Sequence, residues 1–317
     1  MARFLIRRTL MTVPILVGVS IVIFLTIKII PGDPVASMLG PTGTPEARAA
    51  LTQRLGLNRP LPIQYLSWVW HLLHGDLGTS LARQTDVLPL VTDAFVNTLI
   101  LTAFAALLAL VLGIGLGAVA ALRRGRLATA INNGLALFCI STPQYTIGLI
   151  LIIYLASGTG WFPVSGMREA LGGGGFGDLL WHLVLPGVTA ALVPAGIIAR
   201  MFRSTVLDVM SMDFIDSYRS RGLSEWRILR HAFHNTLPTL LTVAGLQLGY
   251  LLGGVIFVET VFAWPGLGEL VYNSISKRDL PVIQAGVMLS ALAFVVINVV
   301  VDVLHGLIDP RTRAAAA

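Results

Sequence analysis

Six long apolar runs constrain the fold of this chain more than any other feature of its sequence. They cover residues 9–30, 97–122, 131–156, 182–202, 237–262 and 282–308. A helix needs about 20 apolar residues to cross the hydrocarbon core of a bilayer, and each run is long enough. The sequence therefore predicts an all-α polytopic membrane protein with six transmembrane helices.

The charge content agrees with this fold class. Charged residues make up 12% of the chain, whereas a soluble domain carries about 25%. So few charges cannot cover a water-exposed surface, which excludes an ordinary soluble enzyme and a disordered chain. They also exclude a nucleic-acid-binding protein, despite the net charge of +6. The single Cys139 excludes a disulfide framework and a cysteine metal site.

The first apolar run is interpreted as an uncleaved span rather than a signal peptide. The basic start at Arg3, Arg7 and Arg8 suits both. The apolar core of a signal peptide is usually about 7–15 residues long, and this run is longer. The Pro-Gly-Asp-Pro sequence that follows at residues 31–34 is not a small-residue cleavage site.

The placement of arginine and lysine predicts the orientation. If the N-terminus is cytoplasmic, the cytoplasmic segments hold most of the 22 basic residues, and the opposite side is net acidic. Cytoplasmic loops of membrane proteins carry an excess of Lys and Arg. The sharpest local signal is the short Arg-Arg-Gly-Arg turn at residues 123–126. Both termini are therefore expected in the cytoplasm.

The spans divide the chain into three parts. Residues 1–30 form the N-terminal tail and first helix, residues 31–94 an extracytoplasmic segment, and residues 95–317 a core with the other five helices. The middle part is long for a connection between two helices, so we expect it to form short helices or to cap the pore. Its histidines, His71 and His74, could bind a metal or a partner, but solvated surface histidines are the favoured interpretation.

A charged cytoplasmic segment at residues 203–236 is predicted to contain a helix, a glycine turn and a second helix. Residues 213–221 place acidic side chains at the start of the first helix and basic ones at its end, which suits the helix dipole. Gly222 fits the left-handed position that ends a helix. Ser224 can cap the next helix.

The first of these helices has an apolar face. Phe214, Ile215 and Tyr218 lie at i, i+1 and i+4, so they share one side. A rigid knob of this kind could dock into a partner protein, or it could lie on anionic lipid headgroups through its arginines. The residue types alone leave both alternatives open.

Few polar side chains fall inside the spans. Those that could line a pathway are Ser141, Thr142, Gln144, Tyr145, Gln247 and Glu259. Pro143 frees a backbone carbonyl at mid-span, although a simple kink satisfied by neighbouring helices is favoured there. For Glu259, a gate contact and a bond to the adjacent loop are both open. Asp302 and His305 could form a proton relay, but an interfacial, hydrated pair is favoured.

Glycines have two different predicted roles. Gly113, Gly115 and Gly117 in the second span would permit close approach of another helix. The run of four glycines at residues 172–175 is interpreted as a flexible connector, because no phosphate-binding Lys-Ser/Thr pair accompanies it.

Short motifs also lie in a fixed order along the chain. They are Pro-Gly-Asp-Pro at 31–34, Leu-Gly-Leu-x-x-Pro-Leu at 55–61, Gly-Asp-Leu-Gly-x-Ser at 75–80, Ser-Arg-Gly-Leu-Ser at 220–224, Glu-x-x-Phe-x-x-Pro-Gly-x-Gly at 259–268, Arg-Asp-x-Pro at 278–281 and Asp-Pro-Arg at 309–311. This set resembles the membrane permease subunits of the dipeptide/oligopeptide (peptide/nickel) family of ABC importers.

The cytoplasmic knob carries a further part of this resemblance. Its Asp-Ser-Tyr-x-x-x-Gly pattern at residues 216–222, followed by Leu237-Pro238, is similar to the EAA coupling loop of ABC-importer permeases. The family usually has Glu-Ala-Ala or Arg-Thr-Ala at the first positions. Tyr218 is bulkier than the small residue expected there, so the docking surface should be tuned to its own ATPase partner.

The resemblance implies a type I ABC-importer permease fold in the bacterial inner membrane. The implied partners are a second homologous permease subunit, two ATPase subunits and an extracytoplasmic substrate-binding protein. The chain has no Gly-x-x-x-x-Gly-Lys-Ser/Thr motif, so it is not expected to be an enzyme or to hold a cofactor; ATP and Mg²⁺ would be bound by the partner subunits. The implied ATPase-coupling residues are Asp213, Phe214, Asp216, Ser217, Tyr218, Arg219, Arg221, Gly222, Leu223, Ser224 and Glu225.

The expected function is the translocation pathway of an ATP-driven importer for peptides or related small solutes. The alternative is a proton- or ion-coupled secondary transporter, which would need buried mid-span carboxylates and inverted repeats. The spans hold almost no acidic residue, which disfavours it. An intramembrane hydrolase would need a His-Glu-x-x-His motif or paired aspartates, and the sequence has neither. For the substrate, the resemblance allows dipeptides, longer peptides, glutathione-like peptides and nickel complexes.

Overall fold

The computed structural model describes most of the chain. The described ranges are 2–29, 44–54, 56–123, 125–169 and 174–308. The motifs at residues 31–34 and 309–311 lie outside them, as do Leu55 of the motif at 55–61 and the first two glycines of the four-glycine run.

The described residues are almost entirely helical, which confirms the predicted all-α class. The helices are α1 Ala2–Ile29, α2 Pro45–Arg54, α3 Leu61–Leu73, α4 Val87–Leu122, α5 Arg126–Ser141, α6 Gln144–Leu151, α7 Phe176–Met210, α8 Asp213–Ser220, α9 Glu225–Val261, α10 Leu267–Ser276 and α11 Leu280–Ile308. A π-helical turn, Ile152–Ser157, continues α6. Within the described ranges, β pairing is limited to one isolated bridge between Thr79 and Asp86.

Four of the described helices, α4, α7, α9 and α11, are long and apolar enough to cross a bilayer. Helices α5 and α6 make a fifth span if they are counted together. Helix α1 contributes a shorter apolar stretch, Leu10–Thr26. The first of the six predicted spans, which corresponds to α1, therefore stays a prediction. The other five predicted spans correspond to the helices named above.

The predicted third span is broken rather than continuous. Its two halves meet at an angle of 97°. Thr142 ends α5 in an extended conformation, with φ −87° and ψ 125°, and Pro143 precedes α6. A proline disfavours helical backbone in the residue before it and has no N–H to continue the helical ladder. The span predicted at residues 131–156 is therefore interrupted at Pro143 by a full break, and not by the simple kink that the sequence favoured.

Several helices extend well beyond the apolar runs. Helix α4 begins at Val87, ten residues before the predicted span, and α7 continues to Met210. Helix α9 already begins at Glu225. The cytoplasmic connection predicted at residues 203–236 is thus mostly helix, and only residues 211–224, with α8 inside them, link α7 to α9. Hydropathy marks the membrane-embedded part of a helix and not its polar ends, which explains the difference.

Helix α7 lies at the centre of the fold. Its apolar window is 72% buried, whereas that of α11 is only 11% buried. It packs on α4, α5, α6 and α9. Its buried face is rich in small residues, which let neighbouring helices approach closely. Examples are Ala190, Ala191 and Ala195, each at most 4% exposed.

Two of the three predicted packing glycines make the close contact between α4 and α7. A Cβ on Gly113 would lie 2.7 Å from the Ile198 side chain, and a Cβ on Gly117 would lie 2.7 Å from the Ala199 carbonyl oxygen. A Cβ on Gly115 would meet no atom within 4 Å. The prediction is therefore confirmed for Gly113 and Gly117 and wrong for Gly115, which points away from α7.

We expect Gly117→Val to destabilise the protein, because the new side chain would collide with the backbone of α7. Overpacking of this kind costs about 1–3 kcal/mol. The measurement is the thermal transition of the purified protein in detergent, followed by size-exclusion chromatography. Gly115→Val is the matched control, with the same loss of glycine from the same helix, and should melt close to the unsubstituted protein. Equal destabilisation by both variants would contradict the packing shown here.

Candidate coupling helix and outer junction

The knob predicted on the cytoplasmic side exists as helix α8. It has eight residues and begins after Met212, whose backbone is extended with φ −79° and ψ 147°. Asp213 and Asp216 lie in its first turn and Arg219 in its last. This order of charges stabilises both ends of a short helix through its dipole.

A glycine turn ends α8 as the sequence predicts. Gly222 has φ +73°, a left-handed conformation that glycine adopts without the strain of a side chain. The Gly222 N–H donates to the Arg219 carbonyl at 2.9 Å, and the Leu223 N–H donates to the Tyr218 carbonyl at 3.1 Å. This pair of bonds is a Schellman motif, which satisfies the free carbonyls at a helix end. The direction of the chain into α9 is therefore set by backbone hydrogen bonds.

The start of α9 differs in one detail from the prediction. Ser224 does occupy the capping position, with extended backbone, but its side chain makes no capping hydrogen bond. A side-chain contact across the turn comes instead from Arg219. Its Nε donates to Glu225 at 3.2 Å and its Nη1 to Asp216 at 3.2 Å.

Arg219 thus joins the two helices that flank the turn. The hydrogen bond to Glu225, with a second to Asp216, raises the pKa of Arg219 further above its usual range, so it stays charged. Exposed ion pairs contribute little to stability. We therefore infer that these contacts mainly orient α8 relative to α9.

The apolar face of α8 anchors it to α9. Ile215 is fully buried, and Phe214 and Tyr218 are half-buried. The rings of Phe214 and Tyr218 meet edge to face at 5.6 Å, and Tyr218 lies 5.2 Å from the His231 ring on α9. The bulky Tyr218 is therefore used for packing inside this chain.

The opposite side of α8 and the turn is exposed. Most of the predicted coupling residues lie there, namely Asp213, Asp216, Ser217, Arg219, Arg221, Gly222, Ser224 and Glu225. Leu223 is half-buried together with Phe214 and Tyr218. The structure thus sorts the predicted set into an exposed polar surface and an apolar anchor.

The predicted pathway residues surround the break between α5 and α6. Ser141 and Tyr145 are exposed in this chain, and Thr142 is half-buried. Gln144 reaches α9, where a Cβ on Gly254 would lie 3.9 Å from its Oε1.

A polar track continues from Gln144 along α9. Gln247, Tyr250 and Gly254 share one face of that helix because they lie at i, i+3 and i+7. Gln247 is about 10 Å from Gly254 along the helix axis. Its Oε1 is buried and has no hydrogen-bond partner within the described part of this chain.

Glu259 is a buried carboxylate at the outer end of α9, with no exposed surface. Thr98 of α4 donates its hydroxyl to Oε1 at 2.6 Å, and the Glu269 N–H donates to Oε2 at 3.0 Å. Thr98 in turn accepts the Leu267 N–H at 2.7 Å. Glu259 therefore holds the N-terminus of α10, where N–H groups are free. Of the two alternatives predicted for it, the structure shows the bond to the adjacent loop.

The loop between α9 and α10 is tied down along its length. The indole of Trp264 donates to the Asn97 carbonyl at 3.0 Å, and the Asn97 side chain donates to the Pro265 carbonyl at 2.9 Å. The Phe262 carbonyl accepts the Gly166 N–H at 2.8 Å. Phe262 and Trp264 are themselves buried. The loop is thus a rigid part of the fold.

The glycines of this loop are required by the close approach of Glu259. A Cβ on Gly266 would overlap the Glu259 carboxylate, and a Cβ on Gly268 would lie 2.8 Å from it. This contact explains why glutamate and the two glycines occur together in the motif at residues 259–268.

A second buried carboxylate joins two motifs that are distant in sequence. Asp279, which is 2% exposed, accepts the hydroxyl of Ser80. It also accepts the backbone N–H groups of Leu81 at 3.1 Å and Ala82 at 3.2 Å. The turn that begins at Gly75 is thereby fastened to the turn between α10 and α11. Glu259 and Asp279, with the groups that bind them, form what we call the outer junction.

The remaining polar candidates have local roles or stay hypotheses. The ring nitrogens of His71 and His74 contact backbone carbonyls of their own helix, those of Ser67 and Trp70. Asp302 is half-buried on α11. The His305 side chain lies outside the described residues, so the relay is not tested.

Family comparisons give this geometry a context. The family described as "Binding-protein-dependent transport system inner membrane component" matches residues 113–314. The N-terminal family of the same transport systems matches residues 1–102. The chain belongs to this permease family.

Curated relatives agree over the full length of the permease. The glutathione transport system permease protein GsiC of Salmonella typhimurium is 37% identical over 99% of both chains. The dipeptide transport system permease protein DppB of Escherichia coli K12 is 36% identical over 99% of both chains. DppB of Alkalihalophilus pseudofirmus is 37% identical over 99% of this chain and all of its own.

A solved structure supports the fold assignment. An inward-facing form of the MetNI methionine ABC transporter aligns with a TM-score of 0.54 and 20% identity. It covers 69% of this permease and 96% of the matched chain. The permease therefore has the type I ABC-importer fold.

Membership of the family decides between the alternatives that the sequence left open. The permease is a multi-pass protein of the bacterial inner membrane and a subunit of an ATP-driven importer. In this family ATP hydrolysis is done by separate ATPase subunits, so the permease is not itself an enzyme. The secondary-transporter alternative is thereby set aside.

Sequence patterns do not reveal the outer junction or the adjacent Asn97. In the sequence, Asn97 and Thr98 mark only the start of an apolar run, and Ser80 is only part of a motif. A polar pair at the end of an apolar run is a weak signal by itself. Its partner Glu259 lies 161 residues away from Thr98, so no local pattern connects them.

We expect Glu259→Gln to destabilise the permease. The amide NH₂ cannot accept a hydrogen bond, so either the Thr98 hydroxyl or the Glu269 N–H loses its acceptor. An unpaired buried donor costs about 1–3 kcal/mol. The measurement is the thermal transition of the purified protein in detergent. Asp93→Asn, the same change at an exposed site on α4, is the control. A Glu259→Gln protein as stable as the Asp93→Asn protein would refute this role.

Proposed function

We propose that this permease forms, with a second homologous permease subunit, the translocation pathway of an importer for peptides or peptide-like small solutes. The observation that carries the substrate class is the 36–37% identity, over 99% of the chain, to permeases named for dipeptide and glutathione transport. In the same proposal, two ATPase subunits that bind ATP and Mg²⁺ lie beneath the pair, and a substrate-binding protein delivers the solute from outside.

The proposed contact with an ATPase subunit is made by residues 213–225. A coupling element must transmit force, so it has to be held rigidly by its own chain. Helix α8 meets this need through the buried Ile215, the Schellman turn at Gly222 and the two ion pairs of Arg219. Its exposed polar surface would enter a groove on the ATPase subunit. Closure of the ATPase pair would then rock the spans between inward-open and outward-open states, as a rigid-body switch.

The proposed pathway follows the polar track from the α5–α6 break to α9. It contains Ser141, Thr142, Gln144 and Tyr145 at the break and Gln247 on α9. The buried and unpaired Oε1 of Gln247 supports this assignment, because a polar atom without a partner is costly unless something else binds it. Glu259 is removed from the pathway set, since its carboxylate is fully used in the outer junction.

The three-part division of the chain belongs to the same proposal. Residues 1–30 form the N-terminal helix, residues 31–94 the extracytoplasmic segment and residues 95–317 the permease core. Because α4 begins at Val87, the boundary between the last two parts falls earlier than the apolar run suggests.

We expect Gly222→Trp to abolish transport without preventing membrane insertion. A Cβ at this position meets no atom of the described residues within 4 Å, so the bulk would fall on the docked ATPase subunit. The measurements are co-purification of the ATPase subunit and uptake in cells. Weaker docking by about 1.4 kcal/mol already lowers the affinity tenfold.

Two control variants separate the causes. Gly125→Trp adds the same bulk at another cytoplasmic turn with open space and should leave transport intact. Gly222→Asn accepts the left-handed backbone and should retain most activity. Full transport by Gly222→Trp would refute the docking proposal, and loss in all three variants would show a general folding defect.

The substrate class has its own test. The permease, its second permease, the ATPase subunits and the binding protein are reconstituted together in liposomes. We expect dipeptides or glutathione, but not free methionine, to stimulate ATP hydrolysis and to be taken up in a vanadate-sensitive manner. A protonophore should have no effect. If nickel complexes alone are taken up, the peptide proposal fails while the ATP-driven mechanism stands.

A further inference from the structure

Helix α3 presents an apolar face that no other segment of the described residues covers. Ile63, Leu66, Trp70 and Leu73 are 48%, 65%, 64% and 75% exposed. They lie at i, i+3, i+7 and i+10, so they form one stripe along the helix. We call these four residues the α3 stripe.

The other side of α3 packs on the first membrane helix, α1. The hydroxyls of Tyr65 and Ser20 are hydrogen-bonded at 2.8 Å. The Phe24 ring meets Tyr65 at 5.5 Å and Trp68 at 6.1 Å. Ser20 and Phe24 are both buried by these and other contacts. The position of α3 relative to α1 is therefore well defined.

These contacts set the depth of α3 in the bilayer. The apolar stretch of α1 runs from Leu10 to Thr26, and Thr26 is its outer end. Ser20 lies six residues closer to the cytoplasm, which is about 9 Å along a helix. Half of the hydrocarbon core is about 15 Å thick. Tyr65, whose hydroxyl is hydrogen-bonded to Ser20, therefore lies at the depth of the acyl chains of the outer leaflet.

The length and composition of α3 agree with this depth. Its 13 residues contain no Asp, Glu, Lys or Arg, and they extend about 20 Å, too short to cross a core of about 30 Å. Polar residues stand at both ends, with Arg59 before the helix and Asp76 after it. Both ends can therefore return to the outer headgroup layer.

We propose that α3 is embedded in the outer leaflet of the membrane and that the α3 stripe contacts lipid acyl chains. Lipid is favoured as the occupant because α1 exposes Ile21, Val22 and Leu25 at the same depth. The lipid that covers these side chains of α1 also lies beside α3. In this position α3 anchors the extracytoplasmic segment between the first span and the turn that begins at Gly75. The proposal is independent of the transported substrate.

Spin-label accessibility tests this proposal in the assembled transporter, reconstituted in lipid nanodiscs. The native Cys139 is first replaced, and a single label is placed by Leu66→Cys. Leu66 is 65% exposed, so the label disturbs little packing among the described residues. We expect collisions with oxygen to exceed those with a water-soluble nickel chelate, as for a site in acyl chains.

Two reference positions calibrate the result. A label at Arg83→Cys, on the exposed outer turn, should favour the nickel chelate, and a label at Leu107→Cys, exposed on the spanning helix α4, reports a deep apolar site. A Leu66 label that favours the nickel chelate would place α3 in water and overturn the proposal. Protection from both reagents would show that a protein, such as the second permease subunit, covers the stripe, and would overturn it as well.

Discussion

The bilayer cannot hydrogen-bond to a polypeptide backbone, and the rest of this structure follows from that constraint. Inside the hydrocarbon core each N–H and C=O must be paired within the protein, so the spans are helices. Where helical structure is interrupted, backbone polar groups find hydrogen-bond partners elsewhere in the protein. The break before Pro143 is followed at once by α6, in which the Thr146 and Ile147 N–H groups bond to the Pro143 carbonyl. The loop between α9 and α10 is satisfied by Glu259, Thr98 and Asn97.

The two carboxylates of the outer junction both accept hydrogen bonds that fasten a loop or turn to a neighbouring segment. Glu259 accepts donors from α4 and α10, and Asp279 accepts donors from the turn that follows Gly75. Each joins segments that are distant in sequence, so each fixes how the outer ends of the helices sit together. A carboxylate is suited to this task because it offers several acceptor sites in one small group. The motifs that carry these residues therefore have a structural cause.

The cytoplasmic side uses different means to reach a similar rigidity. Helix α8 is too short to be stable alone, and it is held by an apolar anchor and by a backbone turn. Arg219 orients α8 relative to α9 but contributes little to the stability of the protein, because its ion pairs are exposed. This construction leaves the polar side of α8 exposed, which suits the coupling role proposed for it.

The sequence by itself determined the fold class and the place of the knob between two spans, and it predicts the orientation. These depend on local quantities: the length of apolar runs, the side on which arginines lie, and a glycine at a helix end. Only the tertiary structure decided the break at Pro143, the partners of Glu259 and Asp279, and the face of Gly113 and Gly117 against α7. It also showed that Tyr218 packs inward and that Ser224 makes no side-chain cap. The partners of Glu259 and Asp279 depend on contacts between segments up to 199 residues apart, for which a single sequence carries no local signal. At Pro143 the residue type is compatible with a kink as well as with a full break, so it does not decide between them.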